Sequence, residues 1–282
     1  MAIITFKSNE IKETGQTLSI AAVATQMAIE HNYKILVVST NFQDQTLETC
    51  FWEVEKKNKS QIVDIENRTH IGIESGVEGL IRAMVSNRTN PEIIKNYSKI
   101  ILKDRLDVLP STTSTEYRKY EEIASNYMEI LQLANKYYDI VLVDLSKRMP
   151  AMQAEDIVQI SDVVVVSLTQ RLKSIDNFIE LRDKKEFYRR KNIMLLIGRY
   201  DNFSKYNVKN ITRYLKEKQL VAVVPYNTLF FESCSEGKII DYFLKLKNID
   251  AADRNYLFLS ETNKVVEGII HRLQDIRMKY NP

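Results

Sequence analysis

Near the start of the chain, Gly15-Gln16-Thr17-Leu18-Ser19 follows an apolar run, Ile3 to Phe6, and a polar loop, Lys7 to Thr14. It opens a stretch rich in alanine (Ala21, Ala22, Ala24, Ala28). Strand, loop and helix in that order can hold a phosphate. Backbone N–H groups and the helix N-terminus surround it, a lysine neutralises it, and a Thr or Ser hydroxyl holds Mg²⁺. Gly15 and Thr17 stand where such a glycine and threonine belong, whereas Gln16 occupies the lysine position and the loop has no other glycine. The bland readings stay open, since Thr17 also suits a helix start for capping reasons alone and Gln16 suits a solvated first turn. Asp144 ends the run Ile140-Val141-Leu142-Val143. A carboxylate there can hold Mg²⁺ directly or through water, or simply cap the following turn.

Positioning these groups requires short strands alternating with longer helices. Strands are expected at Ile3 to Phe6, Lys34 to Ser39, Leu106 to Leu109, Ile140 to Asp144, Val163 to Ser167, Ile193 to Ile197 and Val221 to Val224. Consecutive apolar residues such as Val163 to Val166 predict strands covered on both faces. Helices are expected at Thr17 to His31, Gly76 to Ser86, Ser114 to Tyr137, Ser174 to Arg190, Lys209 to Lys218 and Asn255 to Lys279. This alternation predicts an α/β fold of three layers, a mainly parallel sheet of about seven or eight strands flanked by helices. No composition shift marks a boundary, so residues 1–282 read as one domain. From Gln45 through Arg68 the pattern is poor; Phe51 and Trp52 read as core anchors, and Glu53, Glu55, Lys56, Lys57 and Lys59 as a solvated stretch.

Among 282 residues, 40 Lys plus Arg stand against 37 Asp plus Glu, a net charge of +3, so no global field calls for an acidic partner. Hydrophobic residues at 44% and charged residues at 27% exclude disorder and support a sizeable core. Cys50 and Cys234 with His31, His70 and His271 show no metal-ligand spacing, and two cysteines cannot staple a chain of this size. Without a secretory leader or a long apolar run, the expectation is a soluble cytoplasmic protein.

The chain as a whole resembles the ParA/MinD-type partitioning ATPases, a branch of the deviant phosphate-loop NTPases. Ile3 to Ala28 resembles the first strand, phosphate loop and first helix. Lys34 to Gln43 resembles the second strand and its Asp-x-Asp-x-Gln ending, and Tyr138 to Asp144 the Walker B strand. Ser161 to Gln170 resembles the next strand, and Ile193 to Arg199 the strand that leads to the base-contacting segment. Val223-Val224-Pro225-Tyr226-Asn227, followed by Glu236-Gly237-Lys238, resembles the Ile-Pro-x-Asp stretch and its downstream Gly-Lys.

The resemblance implies ATP or ADP with Mg²⁺. It assigns nucleotide contacts to Lys12, Gly15, Gln16, Thr17, Leu18, Arg199, Pro225 and Asn227, with Thr17 and Asp144 at the metal. Surface and capping roles remain the alternatives for Arg199, Pro225 and Asn227. The departures bear on turnover. The signature Lys-Gly-Gly-x-Gly-Lys-Thr corresponds to Ile11-Lys12-Glu13-Thr14-Gly15-Gln16-Thr17, with Lys12 one residue late for the lysine that reaches across a nucleotide-sandwich dimer. The two family aspartates fall on Ser39 and Asn41, and only Gln43 is kept. Phosphoryl transfer depends on positioning and charge neutralisation, so hydrolysis is expected to be weak or absent and no catalytic residue is assigned. Loop departures of this kind point within the family to the TadZ/CpaE type, associated with assembly of Tad (Flp) pili. Those proteins often carry an N-terminal receiver-like domain, which is not expected here.

Three functions follow: a nucleotide-binding localisation or assembly scaffold with a protein partner, an ATPase cycling between monomer and homodimer, and a pseudo-ATPase that binds no nucleotide. The scaffold is preferred, with polar or membrane-associated placement in the cytoplasm as the family's further implication. Two surfaces bear on DNA and membrane partners. Arg182, Lys184, Lys185, Arg189, Arg190 and Lys191 place six basic residues in ten. They read as a solvated helix face in preference to a DNA surface. Val265, Val266, Ile269, Ile270, Leu273 and Ile276 form a stripe that reads as packing on its own domain in preference to a membrane. Asp162 reads as the end of the preceding helix and the two cysteines as small buried residues.

Overall fold

A computed structural model describes residues 1–10, 14–53, 76–86, 90–190, 192–216 and 221–280. The chain begins with β1 (Ala2–Ser8), α1 (Gln16–Glu30), β2 (Ile35–Ser39), α2 (Thr46–Phe51) and α3 (Val77–Ser86). It continues through β3 (Lys99–Leu102), β4 (Leu106–Leu109), α4 (Tyr117–Ala124), α5 (Tyr127–Asn135), β5 (Ile140–Asp144) and α6 (Ala151–Gln159). The last part is β6 (Val163–Leu168), α7 (Leu172–Lys184), β7 (Ile193–Tyr200), α8 (Val208–Leu215), β8 (Val221–Pro225), α9 (Thr228–Ser235), α10 (Ile239–Leu246) and α11 (Tyr256–Tyr280). Short 3₁₀ turns lie at Pro91–Asn96 and Glu186–Arg189.

The strands form one eight-stranded sheet in the order β3-β4-β2-β5-β1-β6-β7-β8. All neighbours are parallel except β3 and β4. The expected mainly parallel three-layer α/β architecture is therefore what the chain adopts. The apolar runs serve both faces at once: Ile3, Val141, Val143, Val164 and Val166 belong to one core, while Ile4, Phe6, Leu142, Val163 and Val165 belong to the other. Alternate side chains of a strand point to opposite faces, so a run without polar breaks fills two layers. Burying each such side chain contributes about 1.5–3 kcal/mol.

Register brings the functional ends level. Asp144 pairs with Phe6 of β1 on one side and Ser39 of β2 on the other, and Ser8 pairs with Ser167 of β6. Asp162 does more than end a helix. Its Oδ2 accepts the Ile3 N–H at 2.8 Å while its own N–H donates to Ile3 O, so it ties the start of β6 to β1.

Several expected elements differ. The helix over Ser114 to Tyr137 is two, because Ser125 Oγ and Asn126 Nδ2 both donate to Glu122 O and compete with helix hydrogen bonding. Ser174 to Arg190 is likewise α7 followed by a 3₁₀ turn. Strand β3 and helices α2, α6, α9 and α10 go beyond the elements expected from sequence. Strand β3 has four residues on the sheet edge and carries only a three-residue apolar run, Ile100 to Leu102, with Ile101 and Leu102 half-buried and Lys99 and Ile100 exposed. Phe51 is buried and Trp52 packs against the core with Lys99 Nζ 4.2 Å from its ring centroid. Glu55, Lys56, Lys57 and Lys59 lie outside the described residues.

The apolar stripe packs, and the described part of the basic run is mostly exposed. On α11, Val265, Val266, Ile269, Ile270 and Leu273 are buried against the sheet face that carries α1. No helix among the described residues is long and apolar enough to cross a membrane. In the basic run, Arg189 donates to the carbonyls of Arg182 and Asp183 at the end of α7, Arg182 donates to Leu215 O, and Lys184 pairs with Glu180. Lys191 lies outside the described residues.

Candidate functional site

The C-terminal ends of β1, β2 and β5 and the first turn of α1 enclose a cleft of about 470 Å³. Gly15 opens α1 at φ 65°, in the left-handed region that favours glycine. A Cβ at Gly15 would meet Arg199 Cγ at 2.9 Å, so β7 packs hard against the loop. The same packing fixes Gly198, where a Cβ would lie 2.2 Å from Thr14 O. No side chain among the described residues caps α1, so the first N–H groups of the helix, which have no intrahelical partners, face the cleft side of Gln16, Thr17 and Leu18. Partial positive charge at a helix N-terminus favours an anion there.

Asp144 lies beneath this turn, fully buried. Gln16 Nε2 donates to its Oδ1 at 2.6 Å, and Thr17 Oγ1 and Asn41 Nδ2 each donate to its Oδ2 at 2.9 Å. Gln16 Nε2 also donates to Leu145 O at 3.1 Å. Burial pushes the Asp144 carboxyl up from its ordinary value, and the three donors oppose that shift. Among the described residues no Lys, Arg or His pairs with it. A buried carboxylate is thus held by neutral donors, two of them side-chain amides.

Thr40 locks the two strand ends together. Its N–H and Oγ1 donate to Asp144 O, and Oγ1 accepts the Ser146 N–H at 2.8 Å. Around the rim stand Lys147, Arg148 and Arg199, balanced by Glu10 and Asp44. Sequence reasoning misses Thr40, Lys147 and Arg148; polar residues directly after the strand runs of β2 and β5 are the signal that could have found them. Arg199 sits at φ 52°, a left-handed conformation that costs a non-glycine residue about 1–3 kcal/mol. Its guanidinium has no hydrogen-bond or ionic partner among the described residues. Gln43, also left-handed at φ 57°, donates from Nε2 to Thr115 O.

Of the expected site residues, the structure brings Gly15, Gln16, Thr17, Leu18 and Arg199 around this cleft, with Asp144 buried behind Gln16 and Thr17. Pro225 and Asn227 line a neighbouring hollow of about 20 Å³ that shares Gly15, Leu18 and Arg199. Asn227 caps α9 by accepting the Phe230 N–H and donates to Asn255 Oδ1. Lys12 lies outside the described residues. No group of three or more His, Cys, Asp or Glu assembles among them, so a metal here would be held by one carboxylate with ligand oxygens.

Solved structures share this architecture over nearly the whole chain. A ParA family ATPase from Chlorobium tepidum TLS superposes with a TM-score of 0.68 at 16% identity, covering 96% of this chain and 99% of the other. The fold is that of the ParA/MinD-type ATPases. The septum site-determining protein MinD from Pyrococcus horikoshii OT3, complexed with Mg-ADP, gives 0.64 at 13% identity over 94% of this chain and 95% of that one. The MinC:MinD cell division complex from Aquifex aeolicus gives 0.60 at 17% identity over 95% and 96%. No family model matches the sequence, and no match to a curated protein was found. The turn at Gly15 follows β1, the central strand that β5 and β6 flank, and leads directly into α1.

Proposed function

We propose that this protein is a nucleotide-responsive localisation or assembly scaffold of the ParA/MinD type, binding an adenine nucleotide with Mg²⁺ over Gly15 to Leu18 and hydrolysing it slowly or not at all. One observation carries the reading: Gln16 and Asn41, which line the cleft, reach the buried Asp144 through neutral amides at 2.6 and 2.9 Å. Phosphates suit the uncapped start of α1, with Arg199 supplying the cation that Gln16 cannot. Thr17 and Asp144 suit Mg²⁺, which takes one or two carboxylates and completes its shell with phosphate and water oxygens. Bound Mg²⁺ would neutralise phosphate charge and Asp144 together. Turnover needs more, because no carboxylate at Ser39 or Asn41 orients water and Gln43 is held on Thr115 O.

The hollow beside Pro225 and Asn227 is too small for a base in its present shape, so base binding there requires Tyr226 and Phe231, 52% and 48% exposed, to move aside. A homodimer and a protein partner follow from the fold class, as in the MinC:MinD complex. The narrower reading, a scaffold for Tad pilus assembly, rests on the loop departures alone. A pseudo-ATPase has one observation in its favour: Asp144 is already satisfied by three donors without a metal. Isothermal titration of ATP with and without Mg²⁺, followed by a phosphate-release assay, tests the proposal. Mg²⁺-dependent binding with little turnover is expected. No binding under either condition favours the pseudo-ATPase, and steady turnover favours the cycling ATPase.

A further inference from the structure

On the other side of β1 lies a second cleft, of about 440 Å³, walled by the loop after β5, by α6 and by the turn after α7. It shares only Ser8, Leu145, Ser146 and Lys147 with the first. Four cations line it, Lys7, Lys147, Lys185 and Arg190, against one carboxylate, Glu155. None of the four pairs with an acidic side chain among the described residues, although Lys184, next in sequence to one of them, does so. The basic run is thus divided by tertiary structure: Arg182 and Arg189 bond backbone carbonyls, while Lys185 and Arg190 turn to this cleft.

The cations are built in. Lys7 Nζ donates to Tyr188 Oη at 3.0 Å, Tyr188 Oη donates to Asn9 Oδ1 at 3.1 Å, and Lys147 Nζ donates to Asn9 O at 2.6 Å. Tyr188 is buried, and the Asn9 amide nitrogen is buried without a partner. Burial and the nearby Lys7 charge both push the Lys147 ammonium below its ordinary value, with Glu10 opposing. Like charges held together in this way favour an anion between them. The remaining wall is apolar and aromatic: Met149, Val158 and Leu181, with Phe187 and Tyr188 edge to face at 5.1 Å.

We infer that this second cleft is a binding site for a small organic anion carrying a flat apolar body, of the aryl phosphate class, its anionic group between Lys7, Lys147 and Arg190 and its body against Phe187 and Met149. The site does not depend on nucleotide binding in the first cleft. Lys147 and Ser146 line both, so occupancy of one reaches the other through the loop after β5.

The test is a fluorescence titration with 1-naphthyl phosphate, compared with 1-naphthol and inorganic phosphate. Naphthyl phosphate is expected to bind at least about ten-fold tighter than either fragment, since a charge-assisted contact is worth about that factor. Lys7→Met and Arg190→Ala should each weaken it about ten-fold, and Glu155→Gln should tighten it. Arg190 is exposed, so its variant keeps the test valid if the half-buried Lys7 variant fails to fold. Arg199→Ala, which lies outside this cleft, should leave binding unchanged. The inference is overturned if Arg190→Ala binds as the parent does, if Arg199→Ala weakens binding as much as Arg190→Ala, or if 1-naphthol matches its phosphate.

Discussion

Replacing Asn41 by aspartate would set a second carboxylate beside Asp144, and the geometry fixes what that does without ligand. Asn41 Nδ2 donates to Asp144 Oδ2 at 2.9 Å, so an ionised aspartate in its half-buried place would lose that bond and set a second carboxylate against the buried Asp144. At an effective dielectric of about 20, unit charges near 4 Å repel by about 4 kcal/mol. The variant has an escape: protonating the new carboxyl lets its O–H donate to Asp144. That costs about 1.36 kcal/mol per pH unit above its unfolded value near 3.9, or about 5 kcal/mol at pH 7.5 and about 2 kcal/mol at pH 5.5. A folded-state pKa raised above the unfolded one contributes its cost as pH climbs from the unfolded value to the folded one. Asn41→Asp should therefore melt up to about 10 °C below the parent at pH 7.5 and approach it at pH 5, taking about 2 °C per kcal/mol for a chain of this size. Millimolar Mg²⁺ should recover much of the loss at pH 7.5, because two carboxylates and Thr17 make a better oxygen site than one. Thermal melts across pH, with and without Mg²⁺, read all of this. A variant that melts with the parent at pH 7.5, or falls further as pH drops, refutes the placement of Asn41 against Asp144.

Gln16→Lys should tighten ATP by about 10- to 100-fold in titration calorimetry, since a cation on the phosphates contributes about 1.5–3 kcal/mol, while phosphate release stays slow for want of carboxylates at 39 and 41. Arg199→Gly should lose ATP affinity by a similar factor yet melt no lower than the parent, because glycine relieves the left-handed backbone at φ 52°; a clear drop in melting temperature would mean that the Arg199 side chain holds the loop. Gly198→Ala should destabilise by about 2 kcal/mol or more and weaken nucleotide binding with it, as its Cβ would displace Thr14 O from 2.2 Å; unchanged melting would show that the loop entering α1 does not rest on β7.

The inner strands are legible because a buried parallel strand needs apolar residues at consecutive positions, and Ile140 to Val143 and Val163 to Val166 supply them. Strand β3 is less so, since its apolar run, Ile100 to Leu102, is only three residues long and its antiparallel, register-shifted pairing with β4 breaks the strand-and-helix alternation. Chain order alone places Gly15 and Thr17 at a strand-to-helix turn. That Gln16, Thr17 and Asn41 converge on one carboxylate is beyond its reach, because the Gln16 to Asp144 bond spans 128 residues and depends on the register of β1, β2 and β5. The basic run shows the same limit from the other side. Six positive residues in ten suggest one surface, yet Arg182 and Arg189 bond backbone carbonyls, Lys184 pairs with Glu180, and Lys185 and Arg190 line a cleft.

The two clefts follow from one topological fact. Strand β1 lies between β5 and β6, so the connection from β1 to β2 passes over β5 on one face and the connection from β5 to β6 passes over β1 on the other. Each crossover leaves a crevice beyond the strand ends, which is where ligands bind open α/β sheets. The loop after β5 forms a wall of both, and it is pinned at two points: Leu145 N–H to Phe6 O, and Ser146 N–H to Thr40 Oγ1. Lys147, one residue past the second pin, stands on Asn9 O with its charge crowded by Lys7. A phosphate in the first cleft and an anion in the second would draw the same ammonium in opposite directions. Each ligand should therefore weaken the other by the free energy of one shared charged contact, a reciprocity that binding linkage requires whichever ligand is added first.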